Sequence, residues 1–263
     1  MYSDLDYHAV LDEVEATVSK LKSDEKALVF IDPWGYKSIQ PKKLMKLLAC
    51  GHSELLLFLP VAHMHRFANS ATEKLYEGKV SPGSEPLKAL LEELFNNKVP
   101  HFSSFENFTG ALHDKLKIAL NGKHAAKFIL ESPGYNKYAL FFFTSNLKGL
   151  EVFVQACWKI DVEGGKGHFN KKPTTYPLFT PVIEHTRDVA EFIFSKGGVT
   201  NHELYAFGLS QTMLTRITNE ALNYLREQGR VTVSAIDGKA DPRKNANFLG
   251  YKHERTIHFK ITS

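Results

Sequence analysis

Cysteine is scarce: Cys50 and Cys157 are the only two in 263 residues, and neither sits in a CxxC or Cys/His ligand pattern. That spacing leaves no ligand set for a structural zinc and no disulfide framework. It reads as a reduced, cytoplasmic protein holding no metal. No apolar run approaches the ~18 residues of a membrane span. The first residues, Met1 to Asp12, are polar and acidic, unlike a signal peptide. Charge of one sign is also in short supply. A net charge of +4 is compatible with nucleic acid and too weak to argue for it alone. Internal repeats and low-complexity tracts are absent.

Hydrophobic residues make up 43% of the chain, enough for one large core or two small ones. Leu11, Val14, Val18 and Leu21 recur at helical spacing, which predicts a helix over 7–22. Ala27 to Ile31 is an apolar run that stops at Asp32-Pro33, as a buried strand does. Pro41 suits the first turn of a helix through Leu44, Leu47 and Leu48, and Gly51 stops it. Glu54 to Leu59 is the next buried strand, closed by Pro60. Strand, helix, strand in this order predicts parallel strands joined by a crossover helix. Helices are expected over 61–78, 87–95 and 105–120. Ala126 to Leu130 and Tyr138 to Thr144 flank the turn residues Pro133 to Lys137, an antiparallel hairpin expected at a sheet edge. A helix over 150–160 should bury Val152, Phe153, Cys157 and Trp158. Residues 163–181, with Gly164-Gly165-Lys166-Gly167 and three prolines, read as a linker.

Beyond 182 the pattern changes to short helices. Thr200 and Glu203 form a capping box, and Ser210 is expected to cap a helix running to about 228, stopped by Gly229. Alternating strands at 230–234 and 255–260 flank a polar loop. Three helices followed by a two-stranded wing is the order of a winged helix-turn-helix domain. The expected organisation is therefore an α/β domain over 1–162, a linker over 163–181 and a winged helix over 182–263.

The turn Asp32-Pro33-Trp34-Gly35 is the first candidate site, because ligands of open α/β sheets bind at the carboxyl ends of strands. An acidic side chain there can orient an exocyclic amine, and Trp34 can stack on a flat base that is unpaired or flipped out. The same residues also suit a plain structural role, Asp32 as a cap and Trp34 as core. Tyr36 and Lys37 share this loop, and Lys37 suits either a phosphate or solvent. His63 and His65 are two apart, so they do not share a helical face, which argues against a metal pair. Arg66 suits a phosphate or a surface ion pair. Gly164-Gly165-Lys166-Gly167 lacks the GxxxxGK[ST] spacing of a phosphate loop, which favours a flexible linker. In the C-terminal domain Gln211, Thr212, Thr215, Arg216 and Asn219 are expected on the exposed face of the recognition helix, where Gln and Arg can read base edges. Lys239, Arg243 and Lys244 lie in the wing loop and suit phosphate contact. Between 185 and 263 there are 11 Lys and Arg against 8 Asp and Glu, so protein docking stands beside nucleic-acid binding as a reading of this domain.

Phe30-Ile31-Asp32-Pro33-Trp34-Gly35-Tyr36-Lys37-Ser38-Ile39, the segment from Glu54 to Phe67, and Tyr138 to Ser145 with Gly149-Leu150 and Trp158-Lys159 resemble, in the same order, the three-Cys-motif partner proteins. The resemblance spans roughly residues 5–165, and the C-terminal winged helix is similar to one appended in many of these prokaryotic proteins. It implies a Rossmann-like methyltransferase-type sheet and S-adenosylmethionine as cofactor. It also implies an amino-methyltransferase-like role on nucleic acid, in repair or in mobile-element and phage defence, with Asp32, Pro33 and Trp34 as the catalytic residues. The implied partner is a radical-type protein carrying a three-cysteine motif, for which the chain would be a non-catalytic platform in the alternative reading. A third reading is a winged-helix DNA-binding protein. One departure stands out: the Gly-rich turn Asp-x-Phe-Ala-Gly-x-Gly, which in that family holds the methionine half of the cofactor, does not occur ahead of Asp32.

Overall fold

In the computed structural model the described residues are 7–33, 35–72, 85–132, 136–162, 164–168, 181–236, 247–252 and 257–261. Helix α1 (Tyr7–Val18) precedes strand β1 (Ala27–Ile31). Helix α2 (Pro41–Ala49) places Pro41 in its first turn and crosses over to β2 (Ser53–Leu59). The two strands pair in parallel, Ala27 opposite Ser53 through Ile31 opposite Leu57. Proline at position 33 has no N–H to extend the ladder, so β1 ends there. Gly35, at φ 86°, turns the chain into a single 3₁₀ turn, Tyr36–Ser38.

Helices α3 (Val61–Thr72), α4 (Glu85–Leu94) and α5 (Phe105–Ala119) follow. Ser104 caps α5, accepting from the Asn107 N–H at 3.1 Å, so one of the orphan donors of the first turn is satisfied. Next come β3 (His124–Glu131) and β4 (Lys137–Thr144), then α6 (Leu147–Ile160) and the two-residue β5 (Gly167–His168). The sheet order is β1-β2-β4-β3-β5, with β4 antiparallel to both β2 and β3. The expected hairpin is therefore present towards one side of the sheet, where only the two-residue β5 lies beyond β3.

The odd-numbered residues of β1, β2 and β4 (Ile31, Leu55, Leu57, Leu59, Ala139, Phe141 and Phe143) are buried together with Leu44, Leu47, Phe108 and Leu112 of the helices. This is the core of the first compact unit, Met1–Gly149 with His168–Asn170. The second unit comprises Leu150–Gly167 and Lys171–Ser263. In it α7 (Pro181–Ser195), β6 (Val199–Thr200), α8 (Asn201–Ser210), α9 (Thr215–Glu227), β7 (Val231–Ala235) and β8 (Ile257–Ile261) build a helical layer and a sheet of order β6-β8-β7. The capping box at Thr200 and Glu203 is formed in both directions.

Ser210 does not cap the next helix. It closes α8, donating its hydroxyl to the Phe207 carbonyl at 2.7 Å, and the chain turns at Thr212 (φ 58°) before Leu214 begins α9. Gln211 is therefore the C-cap of α8 and does not sit on the following helix. Thr212 is buried. In α6 the buried positions are Leu150, Val154, Cys157 and Trp158, whereas Val152 is exposed. Within the expected linker, Gly167–His168 is a strand. Its segment 169–180 lies outside the described residues, as do Ser81 to Gly83 and the turn residues 133–135.

Candidate functional site

A cleft of about 400 Å³ opens at the carboxyl ends of β1 and β2. Because β4 runs antiparallel to β2, with Leu59 opposite Ala139, the start of β4 arrives at this same end. Pro33, Gly35, Tyr36 and Ile39 form one wall, Leu59, Pro60, Ala62 and His63 the second, and Asn136, Lys137 and Tyr138 the third.

Each wall has a local cause. Pro33 ends β1 and Pro60 opens α3, accepting the Met64 N–H at 3.0 Å. Met64 and Ala68 bury one side of α3, which leaves His63 and Arg66 on its exposed side. The Tyr36 hydroxyl is hydrogen-bonded to His63 Nδ1, and the two rings stack at 5.9 Å. Burial pushes the Tyr36 phenol up to about 12. The phenol therefore keeps its proton at neutral pH, and as a neutral hydroxyl it can donate to His63 Nδ1 or accept from it, according to the imidazole tautomer. His63 also tilts onto Phe67 at 4.8 Å. On the far wall Tyr138 stacks on Phe58 at 5.0 Å and 10°. The Lys137 ammonium lies 4.7 Å from the centre of the Phe105 ring, a cation–π contact that steadies a charge at the cleft.

Asp32 is exposed at the end of β1 and is not part of the cleft lining; its neighbour Pro33 is buried and is. Trp34 lies outside the described residues. Lys37 and Arg66 are exposed and outside the lining. His63 and His65 face different neighbours, His65 packing on Phe105 and Phe108 at 6.1 and 5.6 Å. Among the described residues no group of three or more His, Cys, Asp or Glu is placed to hold a metal ion. Both cysteines are free, and burial pushes the Cys157 thiol up to about 12, far from a nucleophile's range.

The Gly164 to Gly167 turn has an unexpected occupant. The Asp161 carboxylate accepts from the N–H groups of Gly164, Lys166 and Gly167 at 3.3, 2.9 and 3.2 Å. The donors that a phosphate would need are already used by the chain's own carboxylate. Gly165 sits at φ 63°, and a Cβ there would run into the Trp158 indole. That indole donates to the Thr212 carbonyl at 2.7 Å.

In the second unit Arg216 is exposed on α9 and Thr215 is half-buried beside it. Asn219, expected among the exposed positions, has a different task. Asn247, 3% exposed, donates to Asn219 and Asn223 at 3.1 and 2.9 Å and accepts from Arg226 at 2.8 Å. This polar network ties residues 247–249 to α9, and Asn201 adds a bond to the Phe248 carbonyl at 2.9 Å. Lys239, Arg243 and Lys244 lie outside the described residues. The cleft residues Asn136, Lys137, Tyr138 and His63 are the ones sequence reasoning did not bring together. The only available signal was the shared end of the sheet, which requires knowing that β4 lies beside β2.

S-adenosylmethionine carries a sulfonium, an ammonium, a carboxylate, two ribose hydroxyls and an adenine. Among the described lining residues Lys137 suits the carboxylate and the aromatic walls suit the adenine, but no carboxylate is there for the ammonium or the ribose hydroxyls, so the lining meets only part of the molecule. The aromatic walls, the Asn136 amide and the lysine suit a flat, anionic or hydrogen-bonding molecule. No family model, no curated protein and no solved structure matches the chain. Among the described residues no helix is long and apolar enough to cross a membrane.

Proposed function

We propose that this chain is the target-binding component of a methyltransferase-like system acting on nucleic acid. The cleft takes an unpaired base, and the second unit takes the polymer. The observation that carries the reading is the cleft itself: aromatic walls, a lysine and an amide at the carboxyl end of β1 and β2. Tyr36 and Tyr138 offer faces for stacking, worth ~1–3 kcal/mol per base. Lys137 suits a backbone phosphate. The finer reading of the architecture supports this. A mixed sheet with Asp32-Pro33 after its first strand agrees with a Rossmann-like methyltransferase-type core. Three helices with the sheet order β6-β8-β7 agree with a winged helix presenting Thr215 and Arg216 from α9. Asp32, exposed next to the lining residue Pro33, belongs to the proposal as the acceptor, and Trp34, outside the described residues, as the stacking partner that the sequence resemblance implies. Because the described lining holds no carboxylate for the cofactor's ammonium and ribose hydroxyls, no transfer step is assigned to this chain.

Fluorescence anisotropy with a labelled single-stranded oligonucleotide tests the reading at low salt. Binding that weakens roughly tenfold in Tyr36→Ala, with the circular dichroism spectrum unchanged, supports it. Absence of binding by the folded chain, or binding indifferent to Tyr36, overturns it. Calorimetric titration of S-adenosylmethionine is expected to show no uptake. Tight uptake would replace the binding role with a complete enzyme.

A further inference from the structure

Strand β1 is the terminal strand of its sheet, and among the described residues nothing pairs with its outer side. Its burial alternates, and the open face carries Leu28 at 62% and Phe30 at 57% exposure. Lys26 and Asp32 flank them with the same parity, so all four share one face. Half-buried Leu56 and Phe58 of β2 continue that face. Parallel strands are ordinarily covered on both faces, and an apolar edge strand with free ladder groups pairs with another chain.

The backbone decides which residues are available for pairing. The Ala27 N–H donates to the His52 carbonyl at 3.0 Å. In a parallel ladder this directs the N–H and C=O groups of Ala27, Val29 and Ile31 toward β2. Those of Leu28 and Phe30, and of Lys26 and Asp32 in the same extension, point outward. A closed pair of identical strands must run antiparallel about a two-fold axis, and outward groups must face outward groups. That leaves five registers, with the axis at one of residues 27–31. Axes at Ala27 and Leu28 set Lys26 against Leu28 and Phe30 respectively, and axes at Phe30 and Ile31 set Asp32 against Leu28 and Phe30 respectively. All four oppose a charge to an apolar side chain. The axis at Val29 sets Leu28 against Phe30 and Lys26 against Asp32. In that register the apolar pairs meet and the opposite charges meet, as cross-strand pairs prefer.

We infer that β1 is a self-association edge. Two copies of the chain join antiparallel through Ala27–Ile31 about Val29, forming one continuous sheet. Leu28 and Phe30 of each copy make the apolar centre, and Lys26 of each pairs with Asp32 of the other. The inference does not rest on the nucleic-acid reading.

Sedimentation equilibrium of the full chain tests it, with a charge-reversal cycle to read the register. A dimer is expected, and Phe30→Asp is expected to dissociate it. Asp32→Lys places two lysines in opposition and weakens the dimer about tenfold, and so does Lys26→Asp with two carboxylates. The double variant Lys26→Asp/Asp32→Lys restores it to within about threefold. A monomer at every soluble concentration overturns the inference and leaves the edge to a different chain. A dimer indifferent to Phe30→Asp overturns it by placing the interface elsewhere. Failure of the double variant to restore association overturns the register. Because Lys26, Phe30 and Asp32 are all exposed, each variant is expected to keep its fold, which thermal melts of the same samples check.

Discussion

Two glycine-bearing turns look equally inviting in this chain, and they have opposite fates. The turn Gly164 to Gly167 has the amide density of an anion site, yet Asp161 already fills it. The turn after β1 has a single described glycine, Gly35, and stands beside an open cleft. Glycine at positive φ is common to both, at 63° for Gly165 and 86° for Gly35. What separates them is the company each keeps. A Cβ at Gly165 meets the Trp158 indole, whereas a Cβ at Gly35 meets none of the described residues within 4 Å. One turn is a structural clasp, and the other borders an open cleft.

The two turns differ most in what each tolerates at its glycine. Gly165→Ala is expected to cost about 2–4 kcal/mol, through backbone strain and a forced move of the indole. Gly35→Ala should cost only about 1 kcal/mol, the strain alone. Equal losses in thermal unfolding would erase the distinction. Asp161→Ala comes next. It strands three N–H donors and should lower stability by about 1–2 kcal/mol, the turn being partly wet. Amide shifts of Gly164, Lys166 and Gly167 on adding inorganic phosphate are then expected in the variant and not in the parent chain. The same shifts in the parent would show that the clasp opens.

The smallest effect concerns Tyr36. Its phenol is held up to about 12 in the fold against about 10 in an unfolded chain. Between those values the unfolded chain loses its proton first, so the folded state binds more protons and stability falls as pH rises. Below pH 10 this contribution is fully present. Denaturant unfolding across that window should show a shallower decline for Tyr36→Phe than for the parent. Identical slopes would mean that the hydroxyl is solvated in the fold.

Local patterns were legible in the sequence because their causes are local. Pro41 opens α2, Thr200 and Glu203 box the start of α8, and the apolar runs before Asp32 and Pro60 are strands. The errors fall where distant segments decide. Ser210 is a good cap by type, but the turn at Thr212, whose carbonyl accepts from the Trp158 indole, sets the helix boundary instead. Asn219 looked like an exposed reader of bases until the buried Asn247, 28 residues on, claimed it. The cleft shows the same division: Pro33 and Tyr36 were visible in the turn, while Asn136 to Tyr138 join them only through the position of β4.

That position also sets an order of assembly. The β3–β4 hairpin closes over a few residues, but β2 meets β4 across 90 positions of chain, as the Thr144 to Glu54 bond measures. Short closures form early, and distant ones wait on the entropy of the intervening loop. The hairpin is therefore expected to form first and to hold Phe141 and Phe143 on an uncovered strand until β2 arrives. During that interval the rim of β4 is a template for any extended apolar segment, so recovery on refolding should fall as chain concentration rises.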